Sequence, residues 1–396
     1  MVEGWETHLL GSFMDFKNGL NADKGAYGRG TKFVNVMDIF ESAELYADFV
    51  VGSVTAPEKL VREYSVEFGD ILFNRTSETP EDIACASVYL DKSPITFGGF
   101  VIRGRQFSKV LDPKFCQYAF QAENVRREFI RRGQGAVRAN IGQQDLSKVP
   151  ISVPPLPEQR RIAEILRTWD EAIEKLEALR AAKERRLHIL REKLTYADVE
   201  HEPMRLGDVT EEVTTRNGAG VLDREKVMGV TNSRGIVPMR EQTIAGDISR
   251  YKIVADQSFA YNPMRINVGS IARNQTGEEI LVSPDYVAFA CSPDGLLPDY
   301  LDHLRNTKWW AHYINSGGSG SVRQRTYYGD LAAMKVPLPA VAEQRRIADA
   351  LNTAQRDAET TFREITALQR QKRGLMQKLL TGEWRVSTEQ TTEAAE

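Results

Sequence analysis

Displaced by 185 residues, which carries Gly133 onto Gly318, two segments of the chain fall into register without a gap. Gly133-Gln-Gly135-Ala-Val137-Arg138, Asp145-Leu146, Pro154, Glu158-Gln-Arg-Arg-Ile-Ala163 and Leu166 fall on one set of counterparts. These are Gly318-Ser-Gly320-Ser-Val322-Arg323, Asp330-Leu331, Pro339, Glu343-Gln-Arg-Arg-Ile-Ala348 and Leu351. Agreement across a window of about 34 positions marks a duplication. Upstream echoes extend it: Leu10-Gly11 and Leu206-Gly207 each open a copy, and Phe73-Asn74 and Tyr261-Asn262 each end an apolar, strand-like run. A solenoid unit has a period of about 20–50 residues, so this period means two domain-sized copies. Each has a globular part of about 140 residues followed by a helix of about 40.

The helices follow proline-rich brakes, Val153-Pro-Pro-Leu-Pro157 and Val336-Pro-Leu-Pro339. Proline is tolerated at the first turn and fixes where a helix can start. Glu158 and Glu343 then sit at the positive end of each helix dipole. Apolar residues keep a 3-4 spacing beyond: Ile162, Leu166, Trp169, Ile173, Leu176, Leu187, Leu190 and Leu194 in one copy. The other has Ile347, Leu351, Ala354, Ala358, Ile365, Leu368, Leu375 and Leu379. Arg180, Lys183, Thr361 and Lys372 interrupt the seams, and such polar breaks can fix register. A helix near 60 Å long needs a partner helix along its length. Helix one leaves the first domain and arrives at the second, so pairing with its duplicate requires an antiparallel coiled coil and a pseudo-two-fold internal repeat. Pairing between two copies of the chain is the alternative, because coiled coils also serve oligomerisation.

The expected fold class is α+β. Two mixed α/β domains (1–152 and 199–338) alternate with spacer helices (153–198 and 339–383), and a polar tail (384–396) is expected to be disordered. Strand candidates are Lys32–Met37, Asp70–Asn74, Ala84–Leu90 and Gly99–Ile102, with a helix from Pro113 to Arg132. Copy two repeats the plan with Lys226–Thr231, Phe259–Asn262, Gly269–Arg273, Tyr286–Cys291 and a helix from Pro298 to Asn315.

The net charge of −3 is uninformative about nucleic acid, but its distribution is uneven. Residues 103–138 hold nine basic and three acidic side chains, and 305–335 hold five and one. Such an excess on a helix and the loop after it is a candidate phosphate-binding surface. The candidates are Arg103, Arg105, Arg126, Arg127, Arg131, Arg132, Arg138 and Asn140, then Arg305, Lys308, Arg323 and Arg325 with Trp309, Tyr327 and Tyr328 interleaved. Loops after the apolar strands supply Asn74, Arg75 and Thr76, and Asn262, Arg265, Asn267, Arg273 and Asn274. Asn and Arg pair in two places with adenine and guanine edges. Taken singly, each of these residues also suits turn chemistry or a solvated helix face.

Other chemistry is poorly supplied. Cys85, Cys116 and Cys291 are far apart and fit no zinc or disulfide spacing. His8, His188, His201, His303 and His312 form no metalloprotease pair. There is no phosphate-binding G-x-x-x-x-G-K-[ST] loop. The closest fragment to an adenine-methylation element, Tyr261-Asn262-Pro263-Met264, lacks the second proline and the aromatic. No apolar run of 18 residues and no secretory leader is seen, so a cytoplasmic, non-catalytic protein is expected.

Several segments carry a family resemblance. Gly135-Ala-Val-Arg-Ala-Asn140, with Val149-Pro-Ile-Ser-Val-Pro-Pro-Leu-Pro-Glu-Gln-Arg-Arg-Ile-Ala163, resembles the signature of Type I restriction–modification specificity subunits. So do Glu343-Gln-Arg-Arg-Ile-Ala348, the closing Gly374-Leu-Met-Gln-Lys-Leu-Leu-Thr-Gly382, and Gly69-Asp-Ile-Leu-Phe-Asn-Arg75. Copy two departs with Pro339-Ala-Val-Ala-Glu343, and copy one ends its helix in Tyr196-Ala-Asp198. The resemblance implies two target-recognition domains reading a bipartite DNA site. It implies helices that dock two adenine-methylating modification subunits, and further restriction subunits. It implies no cofactor on this chain, since S-adenosylmethionine, ATP and magnesium belong to those partners. A stand-alone dimeric DNA-binding regulator is the competing reading.

Overall fold

The computed structural model describes residues 2–135, 138–197, 203–316 and 325–387. The chain forms two compact units, Met1–Lys175 with Ile365–Glu396, and Leu176–Glu364. Each is mixed α/β, within the α+β class expected from the sequence.

In the first unit, five strands lie in the order Met14–Asn18, Val101–Gln106, Ile71–Asn74, Ala86–Tyr89, Glu44–Leu45. All neighbours are antiparallel except the last pair. Ile71–Asn74 is buried on both faces, which explains its unbroken apolar reading. A short antiparallel pair, Glu6–Leu9 with Pro150–Val153, joins the start of the domain to its end. Gly11 lies beside it, and a Cβ there would meet Ser147 Cβ at 2.6 Å, so only glycine fits. Phe73 packs edge-on against Phe120 and Phe129, with centroids 5.2 and 5.9 Å apart.

The second unit repeats this frame. Four antiparallel strands lie in the order Thr210–Glu212, Val287–Cys291, Phe259–Tyr261, Ile271–Arg273. They occupy the places of the first four strands of unit one. Pro203–Arg205 pairs with Lys335–Pro337. A Cβ on Gly207 would meet Ala332 at 2.9 Å, as Gly11 meets Ser147. The Leu-Gly echo is thus a place where backbone must pass close to a short helix.

The long helices are Leu156–Glu192 and Val341–Leu380. In unit one, Ile162 and Leu166 share an apolar core with Leu379 and Leu380, and Lys372 pairs with Asp170. In unit two, Lys183 reaches Asp357 at 2.8 Å and Thr361 at 3.0 Å, and Arg180 lies over the Phe362 ring. Within each unit the pairing is antiparallel. The polar seam breaks Lys183, Thr361 and Lys372 are partnered across the helices.

Several boundaries differ from expectation. The helix expected over 113–132 is two, Pro113–Ala119 and Glu123–Arg132, because the chain turns at Phe120–Ala122 to bury both residues. The one expected over 298–315 splits into Pro298–Leu304 and Lys308–Ser316, where the Thr307 hydroxyl accepts the Trp310 amide. The strand placed at 32–37 ends at Val34, since the Asn35 amide donates to Asp38 and opens the helix Val36–Glu41. Arg224–Lys226 is a 3-10 turn, leaving the strand as Met228–Thr231. Of the tail expected over 384–396, residues 384–387 are described. Arg385 makes a two-pronged pair with the buried carboxylate of Glu158 (2.7 and 2.8 Å). The rest of the expected tail, 388–396, lies outside the described residues.

Candidate nucleic-acid interface

Two segments far apart in sequence meet at one edge of the first unit. Thr76–Ser77 pairs with Ala139–Asn140, and the Ile141 amide donates to the Arg75 carbonyl at 3.0 Å. The Thr76 hydroxyl donates to Asn140 Oδ1 at 2.9 Å, and the Asn140 amide donates to the Arg138 carbonyl at 3.0 Å. Gly135 has φ +118°, and a Cβ there would strike the Arg138 carbonyl at 2.2 Å. Only glycine closes the loop this way. Arg75, Arg138 and Asn140 are exposed, with Glu78 Oε1 3.6 Å from the Arg138 guanidinium. Arg127 and Arg131 are exposed on the helix that leads into this loop, facing Glu123 and Glu128.

The second unit makes the corresponding closure. The Thr326 amide donates to the Pro263 carbonyl at 3.0 Å, and Thr326 is the counterpart of Ile141. The junction gathers exposed Arg265, Asn267, Arg325 and Tyr327, with Arg325 Nη1 3.5 Å from the Tyr327 hydroxyl. That contact favours the charged guanidinium and pushes its pKa up. Lys308 is exposed at the start of its helix. Arg323 lies outside the described residues.

Other candidates face inward. Asn74 is fully buried and donates to the Asp82 carbonyl at 3.0 Å. Asn274 is its counterpart in kind, donating to the carbonyls of Val254 and Glu278. Arg105 grips Asp70 through two hydrogen bonds of 2.8 and 2.6 Å, and that carboxylate raises its pKa. Arg103 donates to the Ser65 carbonyl, and burial lowers its pKa. Arg126 holds three carbonyls, those of Glu81, Ile83 and Ala84. Arg132 binds Glu128 and the Lys148 carbonyl. Arg273, 5% exposed, pairs with Asp299 at 2.7 Å. Arg305 binds Asp302 and the Ile271 carbonyl. The Tyr328 hydroxyl donates to the Thr210 carbonyl, Trp309 stacks on Tyr196, and Asn262 Oδ1 accepts the Met264 amide.

The sequence reading passed over Phe100, whose carbonyl accepts the Arg75 amide at 2.8 Å and whose side chain is 68% exposed. No local pattern marks it, because its exposure depends on the strand turn that carries it. Among the described residues no group of three or more metal-ligating side chains occurs, and no helix is long and apolar enough to cross a membrane.

A mixed α/β unit built twice, each copy making the same backbone closure beside exposed basic side chains and each followed by a long helix, presents two candidate nucleic-acid surfaces. Residues 2–183 match the family described as "Type I restriction modification DNA specificity domain". A Methanocaldococcus jannaschii protein assigned to the type I restriction enzyme MjaX as its specificity subunit is 22% identical, over 98% of this chain and 95% of that one. The fold is similar to the S subunit of a Type I system from M. genitalium (TM-score 0.54, 15% identity, 95% and 96% of the two chains covered). It is also similar to a chain from a structure on complex assembly and conformational transition of the type I R-M system (TM-score 0.56, 17% identity, 97% and 100% covered). Residues 2–183 thus match the DNA specificity domain of Type I restriction–modification systems, and the chain is similar along nearly its whole length to a specificity subunit of such a system.

Proposed function

We infer that each unit reads one half of a split, asymmetric site in double-stranded DNA, through the loop that its 75–141 or 263–326 closure presents. The observation that carries this is the recurrence of one backbone hydrogen bond in both units, each time beside exposed arginine and amide or phenol groups. Arginine and lysine at such a surface neutralise phosphates, and Asn and Arg read base edges. Two unlike readers on long helices suit half-sites about one helical turn, ~34 Å, or more apart. The helices dock two modification subunits, which carry S-adenosylmethionine and methylate adenine, and restriction subunits add ATP- and magnesium-dependent cleavage. The complex works in the cytoplasm.

Methylation-aware sequencing of the host genome tests this reading. The expected result is a bipartite methylated-adenine motif that vanishes when the gene is deleted. A methylome unchanged by deletion sinks the reading. Tight sequence-specific binding by the purified chain alone would favour a stand-alone regulator.

A further inference from the structure

The repeated Glu-Gln-Arg-Arg-Ile-Ala element contains one side chain that makes the same three hydrogen bonds in both units. Gln159 is buried and makes three hydrogen bonds. Its amide nitrogen donates to the carbonyls of Val110 and Pro154, both at 2.9 Å, and its oxygen accepts the Asp112 amide at 2.8 Å. Gln344 is buried likewise. Its nitrogen donates to the carbonyls of Gly295 and Pro339 at 2.9 Å, and its oxygen accepts the Leu297 amide at 2.8 Å. Pro154 and Pro339 belong to the brake before each long helix. The other partners belong to the segment that enters the helix Pro113–Ala119 or Pro298–Leu304, inside the domain. Each glutamine therefore bolts a domain to the first turn of its long helix.

Beneath these bonds the seat is apolar, with Leu166 or Leu351 in the shared core, and in unit one ion pairs of Arg160 with Asp112 and Arg385 with Glu158 lie at its rim. Apolar contact is non-directional and tolerates sliding, whereas three aligned hydrogen bonds do not. A glutamine amide supplies two donors and one acceptor at the required reach. A second tether lies at matching positions: Gln377 Nε2 lies 3.5 Å from Glu123 Oε2, and Glu192 accepts the Lys308 amide at 2.5 Å.

We propose that Gln159 and Gln344 are positioning residues that hold each recognition domain at a set tilt on its long helix and thereby fix the half-site spacing the protein accepts. The second clause rests on the function proposed above. The magnitude is sufficient. Functional constellations tolerate only roughly 10–20° of misorientation. At the radius of a domain of about 140 residues, roughly 15–20 Å, a swing of that size moves a point on the far surface by about 5 Å, more than one base-pair step of ~3.4 Å.

The first measurement needs no DNA. Spin labels on exposed Lys59 and Glu174 of the full chain, with Cys85 and Cys291 replaced by serine, report the distance across the first joint. Gln159→Met removes all three hydrogen bonds at similar length, and Gln159→Asn keeps the amide but falls one methylene short. The expected result is a distance distribution broadened by about 5 Å in Gln159→Met, less in Gln159→Asn, and unchanged in Gln344→Met. Folded variants with the parental narrow distribution overturn the proposal. So does loss of folding by both Gln159 variants, which would make the residue purely structural. The second measurement is the methylome of a strain carrying Gln159→Met. Half-site sequences should persist while the spacer relaxes by one base pair. A single retained spacer beside a broadened distance distribution would sever tilt from spacing. Absence of any motif in the parent strain would sink the function reading, while the label distances still judge the joint.

Discussion

The two units seat their domains on the long helices through the same glutamine, yet the groups around it differ in kind. Unit one surrounds the joint with charge. Asp112 caps the helix Pro113–Ala119 through the Lys114 amide and takes Arg160 at 3.1 Å. Arg385 reaches the buried Glu158, and Tyr118 donates to Asp170 at 2.8 Å beside Lys372. In unit two Leu297 stands where Asp112 does, and Glu343 pairs only along its own helix with Arg346 among the contacts of the described residues. His303 takes the place of Tyr118 and meets Asn352 at 2.9 Å. The three glutamine hydrogen bonds are common to both, while the charges are particular to one. Directional neutral bonding between buried groups sets the joint, and peripheral ion pairs can vary around it because each contributes little once solvated.

The largest expected effect tests whether the units are separable. Leu166 and Leu351 are counterparts, both fully buried in their cores. Leu166→Ala should cost about 2–5 kcal/mol, and Leu351→Ala a similar amount. Amide exchange should accelerate around Phe73 in the first variant and around Phe259 in the second. Equal acceleration in both places would mean that the units share one cooperative core.

A smaller effect separates the units by pH. Burial lowers the pKa of His303, against the hydrogen bond its ring N–H donates to Asn352 Oδ1 and with Arg191, Asp302 and Asp299 nearby. Because its folded pKa lies below its ordinary value, the unfolded chain binds the proton more readily, and stability is lost as pH falls through and below about 6.5. Unit two should therefore weaken on acidification through that range in a way that unit one, with Tyr118, does not. His303→Tyr should remove the difference in urea midpoints measured between pH 7.5 and 5.5. A difference that survives the substitution would place its origin elsewhere.

The smallest effects concern DNA. Arg138→Ala or Arg325→Ala should each flatten the salt dependence of DNA affinity in the assembled complex by about one unit of slope. Arg105→Lys, inside the first unit, should leave that slope unchanged. A flattened slope for Arg105→Lys would break the division between outward and inward arginines.

The duplication and the two helices were legible because repeat spacing, prolines and seven-residue seams are local properties of the chain. Leu10-Gly11 and Leu206-Gly207 were visible as echoes, but their reason, close passage of a short helix, was not. The single helix read over 113–132 failed because two buried residues at its middle demanded a turn, and no propensity signals that. The candidate interface was half legible: Arg75, Arg138 and Asn140 converge at one edge, whereas Asn74, Arg103, Arg273 and Asn274 point inside.

The sequence alone determined that this protein is one α+β design made twice, each copy leading into a long helix opened by proline and Glu-Gln-Arg-Arg-Ile-Ala. Only the tertiary structure decided which arginines face solvent and which bind carboxylates within the fold. A basic side chain looks the same in a composition count whether its partner is water or, as for Arg105 and Asp70, a carboxylate 35 positions away. Burial is set by distant contacts, and those exist only once the chain has closed.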